Sequence, residues 1–171
     1  MIIAGIDVGK HGGMAILREN ETKVIKMPDD VTELIVLFDY YKGLDDLLVF
    51  VEKLQMRPQD IYENVGKAFR IQRMLADFEK LKATLQIGKI PFCLVNPMKW
   101  QSALGLRIKG EEKSDRKHRY VKVAQEHHPS VRATLWNADA LLIADFGKKM
   151  WEEQDKWLKS NLPTQFNEKL F

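Results

Sequence analysis

The sequence predicts an α/β fold built on one five-stranded mixed sheet, an antiparallel meander followed by parallel strands, with helices on its faces. Three observations carry this. Apolar, β-rich segments at 1–9, 12–18 and 22–27 are separated by connections of only a few residues, which join antiparallel neighbours. Two further apolar runs, 46–52 and 90–95, each follow a helical pattern, as crossovers between parallel strands require. The first of these, Asp46-Leu47-Leu48-Val49-Phe50-Val51-Glu52, is nearly continuous in its apolar character, the mark of a strand covered on both faces.

Each element has its local cause. Gly12-Gly13 makes the first turn tight, and Glu19-Asn20-Glu21 is a polar second turn. Pro28-Asp29-Asp30 opens a helix whose apolar face is Leu34, Ile35, Leu37 and Phe38, with Gly43 as its stop. A longer helix is expected at about 61–84, where Ile61, Val65, Phe69 (or Ala68), Gln72, Leu75 and Phe78 recur near helical spacing. The fifth strand is bounded by Pro91 and by Asn96-Pro97. A basic, polar segment leads to helices near 113–127 and 134–150. The last twenty residues hold Trp151, Trp157 and Phe171 among charges, which divides the chain into a domain at 1–150 and a peripheral helix or tail at 151–171.

A chain of 171 residues suits one compact domain with a sizeable core. Its formal charge of +3 permits a nucleic-acid partner without requiring one. The charge is unevenly spread: residues 99–122 hold eight Lys or Arg against three acids. The one cysteine, Cys93, lies in an apolar strand and reads as a buried structural thiol. A disulfide framework and a Cys/His zinc cluster are thereby excluded. No signal peptide and no apolar run of about 18 residues is present. A reducing cytoplasm is the expected location.

Three acids stand in apolar surroundings. Asp7 ends strand one, Glu52 ends strand four, and Asp139 sits in Ala138-Asp139-Ala140-Leu141-Leu142-Ile143. Singly, the first two read as solvated strand ends and the third as a charge complementing a helix dipole. Together they read as a carboxylate cluster. If strands one and four are neighbours, Asp7 and Glu52 meet at one sheet end, and the last helix need only cross that end. Carboxylates so grouped suit magnesium or manganese, hard ions that keep places for water and phosphate.

With these residues placed, the chain resembles the RuvC family of Holliday-junction resolvases within the ribonuclease H-like nucleases. The matching pieces are Gly5-Ile6-Asp7-Val8-Gly9, Val49-Phe50-Val51-Glu52, Glu112-Lys113-Ser114 and Ala138-Asp139-Ala140-Leu141, in family order over about 1–150. The short, lysine-rich chain is similar to phage-type members, whose location is the host cytoplasm. The resemblance implies that Asp7, Glu52 and Asp139 hold two Mg2+ ions, replaceable by Mn2+. It implies a basic cleft for four-way DNA junctions, and a homodimer that cuts two strands symmetrically in recombination and repair.

Lys113 and Lys99 match family lysines near the scissile phosphate, Lys113 as a catalytic residue. Arg107, Lys109, Arg116, Lys117 and Arg119 are expected to contact the DNA backbone, whereas His118, His127 and His128 read as surface or capping residues. Two features depart from the family pattern. A fourth metal-site residue usually stands three positions before the helix aspartate, and here that residue is Trp136. Asp145 lies about 240° round an ideal helix from Asp139 and points poorly at the same site. The aromatic junction probe that follows the second acid is replaced by Leu54-Gln55-Met56, leaving Met56 or Leu54 as an apolar wedge or a loop anchor. Other functions consistent with the sequence are a related nuclease for other branched DNA or RNA–DNA hybrid, and a junction-binding homologue with weakened catalysis.

Overall fold

A computed structural model describes residues 1–9, 11–54 and 65–161, without the side chains of 65, 67 and 156–161. Its strands are β1 (Ile2–Asp7), β2 (Gly13–Arg18), β3 (Glu21–Lys26), β4 (Leu47–Glu52) and β5 (Phe92–Val95). Its helices are α1 (Val31–Leu44), α2 (Val65–Ile87), α3 (Pro97–Ala103), α4 (Lys113–His127) and α5 (Ala138–Asn161). The sheet order is β3-β2-β1-β4-β5. β1/β2 and β2/β3 pair antiparallel, whereas β1/β4 and β4/β5 pair parallel. The expected mixed sheet is therefore observed, with the expected hairpins and crossovers.

Two cores lie on opposite faces of this sheet, and strand periodicity assigns side chains to them. Ile2, Ala4 and Ile6 of β1, with Leu47, Val49 and Val51 of β4, pack with Leu34 and Phe38 of α1 and with Phe78, Leu81 and Leu85 of α2. Ile3 and Phe50 face the other way, against Trp100 of α3, Tyr120 and Ala124 of α4, and the α5 stretch Ala140–Ala144. By the same alternation Asp7 and Glu52, odd on β1 and even on β4, belong to the α5 face.

Caps explain where two helices begin. Asp30 caps α1 by accepting from the Thr32 amide at 2.5 Å, and Asn96 caps α3 by accepting from the Met98 amide at 2.9 Å, with Pro97 in the first turn. Gly43 falls within the last turn of α1 rather than stopping it. α5 starts later than the sequence pattern implies and runs through residue 150 to Asn161, so the expected division at 150 falls inside a continuous helix. The start expected for α2 near residue 61 lies outside the described residues.

One side-chain expectation is corrected. Cys93 is exposed, because β5 is the edge strand of the sheet and α5 covers its outer face incompletely. Among the described residues, no helix is long and apolar enough to cross a membrane.

Candidate metal centre

The three acids converge. Continuing the β1/β4 register past Ile6↔Val51 sets Asp7 beside Glu52 at the carboxyl ends of adjacent parallel strands. The third acid arrives because α5 lies in backbone contact with β1. A Cβ on Gly5 would stand 2.3 Å from Ala140 O and 2.3 Å from Ala144 N, so only glycine admits the helix at this depth. Asp139, beside Ala140 in the first turn of α5, is thereby carried to Asp7. Each of the three offers a carboxylate oxygen, and these oxygens all lie within 4.8 Å of one another.

The electrostatics are those of a site built for a cation. Burial, then the nearby Asp139 carboxylate, raises the Asp7 carboxyl to about 6. Burial, then Asp7 and Asp139, raises Glu52 to about 7. Opposing this, the Trp100 indole donates to Glu52 Oε2 at 3.1 Å. Lys117 of α4 pairs with Asp139 Oδ2, while Asp139 Oδ1 is buried with no hydrogen-bond partner. With all three carboxylates deprotonated, that one lysine would leave a charge of −2. An orphaned buried acceptor and this unbalanced charge fit a divalent metal ion held by Asp7, Glu52 and Asp139.

Among the described residues no fourth ligand joins the three. Trp136 instead covers Gly13, whose Cβ, if present, would lie 2.9 Å from ring atoms of the indole. Gly13 is the register partner of Asp7, so an apolar ring seals this flank of the site. Asp145 is engaged elsewhere, with His127 Nδ1 at 2.7 Å and His128 Nε2 at 2.9 Å. His128 is the C-cap of α4, as the capping reading allows, but it is buried, with its Nδ1 3.2 Å from Thr22 Oγ1 and its Nε2 on Asp145, so it bridges β3 and α5. His118 is exposed on α4, as the surface reading expects, its Nδ1 lying 2.9 Å from Ser114 O. Asn137 is fully buried and shapes the entry to α5, accepting from the Thr134 amide at 2.7 Å and donating to Arg132 O at 3.0 Å.

The basic residues divide. Lys113 and Lys117 line a cleft of about 590 Å³ that opens on Asp7, together with Arg70, Arg73, Met74 and Phe69 of α2. Lys99 lines a different groove, between β5 and α5. Arg107 and Lys109 are exposed in the segment before α4, and Arg116 is half-buried on α4. Arg119 is committed within the protein: Nε donates to Glu111 Oε1 at 2.7 Å, and Nη2 to Glu111 Oε2 at 2.6 Å and Leu106 O at 2.7 Å. Leu54 packs against the first core and is no wedge, while Met56 lies outside the described residues.

The structure adds residues that sequence reasoning missed. Lys117, taken for a backbone contact, is the lysine on the acidic cluster. Trp100 is the hydrogen-bond partner of Glu52. Phe69, assigned to a helix face, is 66% exposed in the cleft. The available signal for Lys117 was its helical spacing from Lys113, which puts both on one face of α4.

No family model matches the chain, and no curated protein does. Solved structures do. Thermus thermophilus RuvC is 19% identical with a TM-score of 0.51, covering 88% of this chain and 97% of that one. The T. thermophilus RuvC in complex with a Holliday junction substrate is 19% identical with a TM-score of 0.50, covering 88% of this chain and 96% of that one. The likeness extends over nearly the whole of both chains, and the fold is the ribonuclease H-like fold of RuvC.

Proposed function

We propose that this chain is a metal-dependent endonuclease that cleaves four-way DNA junctions. The observation that carries the reading is the clustering of Asp7, Glu52 and Asp139 within 4.8 Å, at the sheet end opening into a cleft with four cationic side chains. The structural neighbours with this fold include a RuvC bound to a Holliday junction substrate, which favours branched DNA over other phosphodiesters.

When bound, Mg2+ ions, or Mn2+ in their place, supply a lowered water pKa and charge stabilisation at the scissile phosphate, two ions acting as a clamp. Asp7, Glu52 and Asp139 would hold the metal. Lys117 pairs with Asp139 and, with Lys113 in the same cleft, would offset phosphate charge. Arg70 and Arg73, which line the cleft, hold the DNA backbone, and the exposed Phe69 in the same cleft offers a ring to an unstacked base. Lys99, Arg107, Lys109 and Arg116 extend the backbone contacts. A homodimer would present two such centres for symmetric cuts.

The test incubates purified protein with labelled four-way, flapped and linear duplex DNA, in Mg2+ or EDTA, alongside Asp7→Asn. Paired symmetric nicks in the junction, lost with EDTA and in the variant, are the expected result. Cleavage of flaps alone would reassign the substrate, and tight junction binding without cleavage would leave a binding protein. Light scattering on the same sample reads the dimer.

A further inference from the structure

The buried face of the metal site holds a group with no metal to bind and no charge to lend. Trp100 is fully buried, and the one polar atom of its side chain donates to Glu52 Oε2 at 3.1 Å. We propose that Trp100 is a positioning residue of the metal centre, fixing the Glu52 carboxylate in its ligating orientation as a neutral donor; this deepens the nuclease reading and rests on it.

The local sequence puts the indole there. β5 runs parallel to β4 with Val95 opposite Glu52, and the Lys53 amide donates to Val95 O at 2.8 Å. Asn96 and Pro97 then start α3 at once, so its first turn lies over the end of β4. Trp100 N donates to Asn96 O at 3.3 Å, completing that turn. The ring is wedged edge-on against Tyr120 of α4, with centroids 5.5 Å apart and planes at 60°. Held on both sides, the indole has no alternative rotamer to occupy without opening the core.

The choice of a neutral donor has a consequence that separates Glu52 from Asp139. Asp139 is paired with the cation of Lys117, which an incoming ion must displace or outweigh. Trp100 supports the Glu52 carboxylate by a hydrogen bond and brings no cation to compete with the ion. Partners of this kind fix a ligand's orientation, and their removal commonly weakens metal affinity 10–100-fold. Phenylalanine at 100 would keep the ring against Tyr120 and lose only the donor and part of the volume.

The experiment measures Mn2+ binding by calorimetry or electron paramagnetic resonance on the full chain without DNA, for wild type and Trp100→Phe. Phe38→Leu, in the core on the opposite face of the sheet, controls for general loosening. The expected result is about tenfold or greater loss of Mn2+ affinity in Trp100→Phe and none in Phe38→Leu, both folded by circular dichroism. In junction cleavage the Mn2+ concentration for half-maximal rate rises in parallel, while KM for DNA is unchanged. Trp100→Met, which also lacks the N–H, repeats the comparison should the Phe variant not fold. Mn2+ affinity within twofold of wild type in the folded variant overturns the proposal, as does a wild type that binds no Mn2+. A wild type that binds Mn2+, loses it in Trp100→Phe and cleaves no junction overturns the nuclease reading alone.

Discussion

Gly5 of β1 and Ala140 of α5 meet backbone to backbone: a Cβ at Gly5 would stand 2.3 Å from the Ala140 carbonyl oxygen. The obstacle is main chain, so relief requires the whole helix to withdraw rather than a side chain to rotate. Asp139 is covalently next to Ala140 and withdraws with it. Gly5→Ala is therefore expected to lower stability by about 1–3 kcal/mol, roughly 2–10 °C in a thermal melt of a chain this size. It should also weaken Mn2+ binding, although residue 5 carries no ligand. A Gly5→Ala protein that melts and binds Mn2+ as wild type does would contradict the close packing.

The raised carboxyls of the cluster dictate a pH dependence of stability. Asp7 titrates at about 6 and Glu52 at about 7 in the folded chain, both above their ordinary values near 4. Between about pH 4 and pH 7 the native state therefore holds protons that the unfolded chain has released. By linkage, the metal-free protein has this contribution in full below about pH 4 and loses it as pH rises through 6 and 7. Asp7→Asn should remove much of the slope, so the variant overtakes wild type toward neutral pH in EDTA. Melts from pH 5 to 8 read the crossing; parallel curves would contradict it. A divalent ion binds the deprotonated cluster and reverses the trend. At 100-fold over its dissociation constant it adds about 2.7 kcal/mol, about 5–10 °C in the melt.

Much of the site was legible because strand parity is a strict rule. Asp7 shares its face with Ile3 and Gly5, and Glu52 with Leu48 and Phe50, so both acids face α5 once the strands are neighbours. The apolar runs ending in acids supplied that much. What spacing could not supply is which residues from distant elements meet. Trp100 was a lysine's neighbour in the sequence and became the partner of Glu52 only because α3 starts immediately after β5. Arg119 looked like its cationic neighbours until Glu111 and the Leu106 carbonyl claimed its guanidinium. Cys93 was placed inside because its strand is apolar, a pattern that does not separate an edge strand from a central one. In sequence His128 reads as a surface or capping residue; it does cap α4, but its links to Thr22 and Asp145 have no local sign.

Lys117 and Lys113 differ in a way that can be measured. Lys117 is paired with Asp139, whose side chain is 9% exposed, and Lys113 lines the same cleft without a partner among the described contacts. Lys117→Met leaves a buried carboxylate uncompensated, costing about 1–3 kcal/mol in EDTA, discounted because the lysine side chain is 32% exposed. The same change removes a competitor for the ion, so Mn2+ affinity should rise while the cleavage rate falls. Lys113→Met should slow cleavage with no change in either stability or Mn2+ affinity. Identical behaviour of the two variants would refute the assignment of Lys117 to the metal cluster.

Phe69 tests whether the cleft reads unpaired bases. A phenylalanine that is 66% exposed lines the cleft together with Arg70, Arg73 and Asp7. An unstacked base would cover the ring, and base–aromatic stacking is worth about 1–3 kcal/mol. In the Asp7→Asn background, which binds without cutting, Phe69→Ala should weaken binding of an open four-way junction about 5–100-fold and leave linear duplex binding unchanged. Arg70→Gln and Arg73→Gln should weaken both substrates alike and reduce the salt dependence of binding, because phosphate contacts release counterions whatever the sequence. Equal losses on junction and duplex from Phe69→Ala would assign the ring to backbone packing and remove Phe69 as a source of the proposed preference for branched DNA.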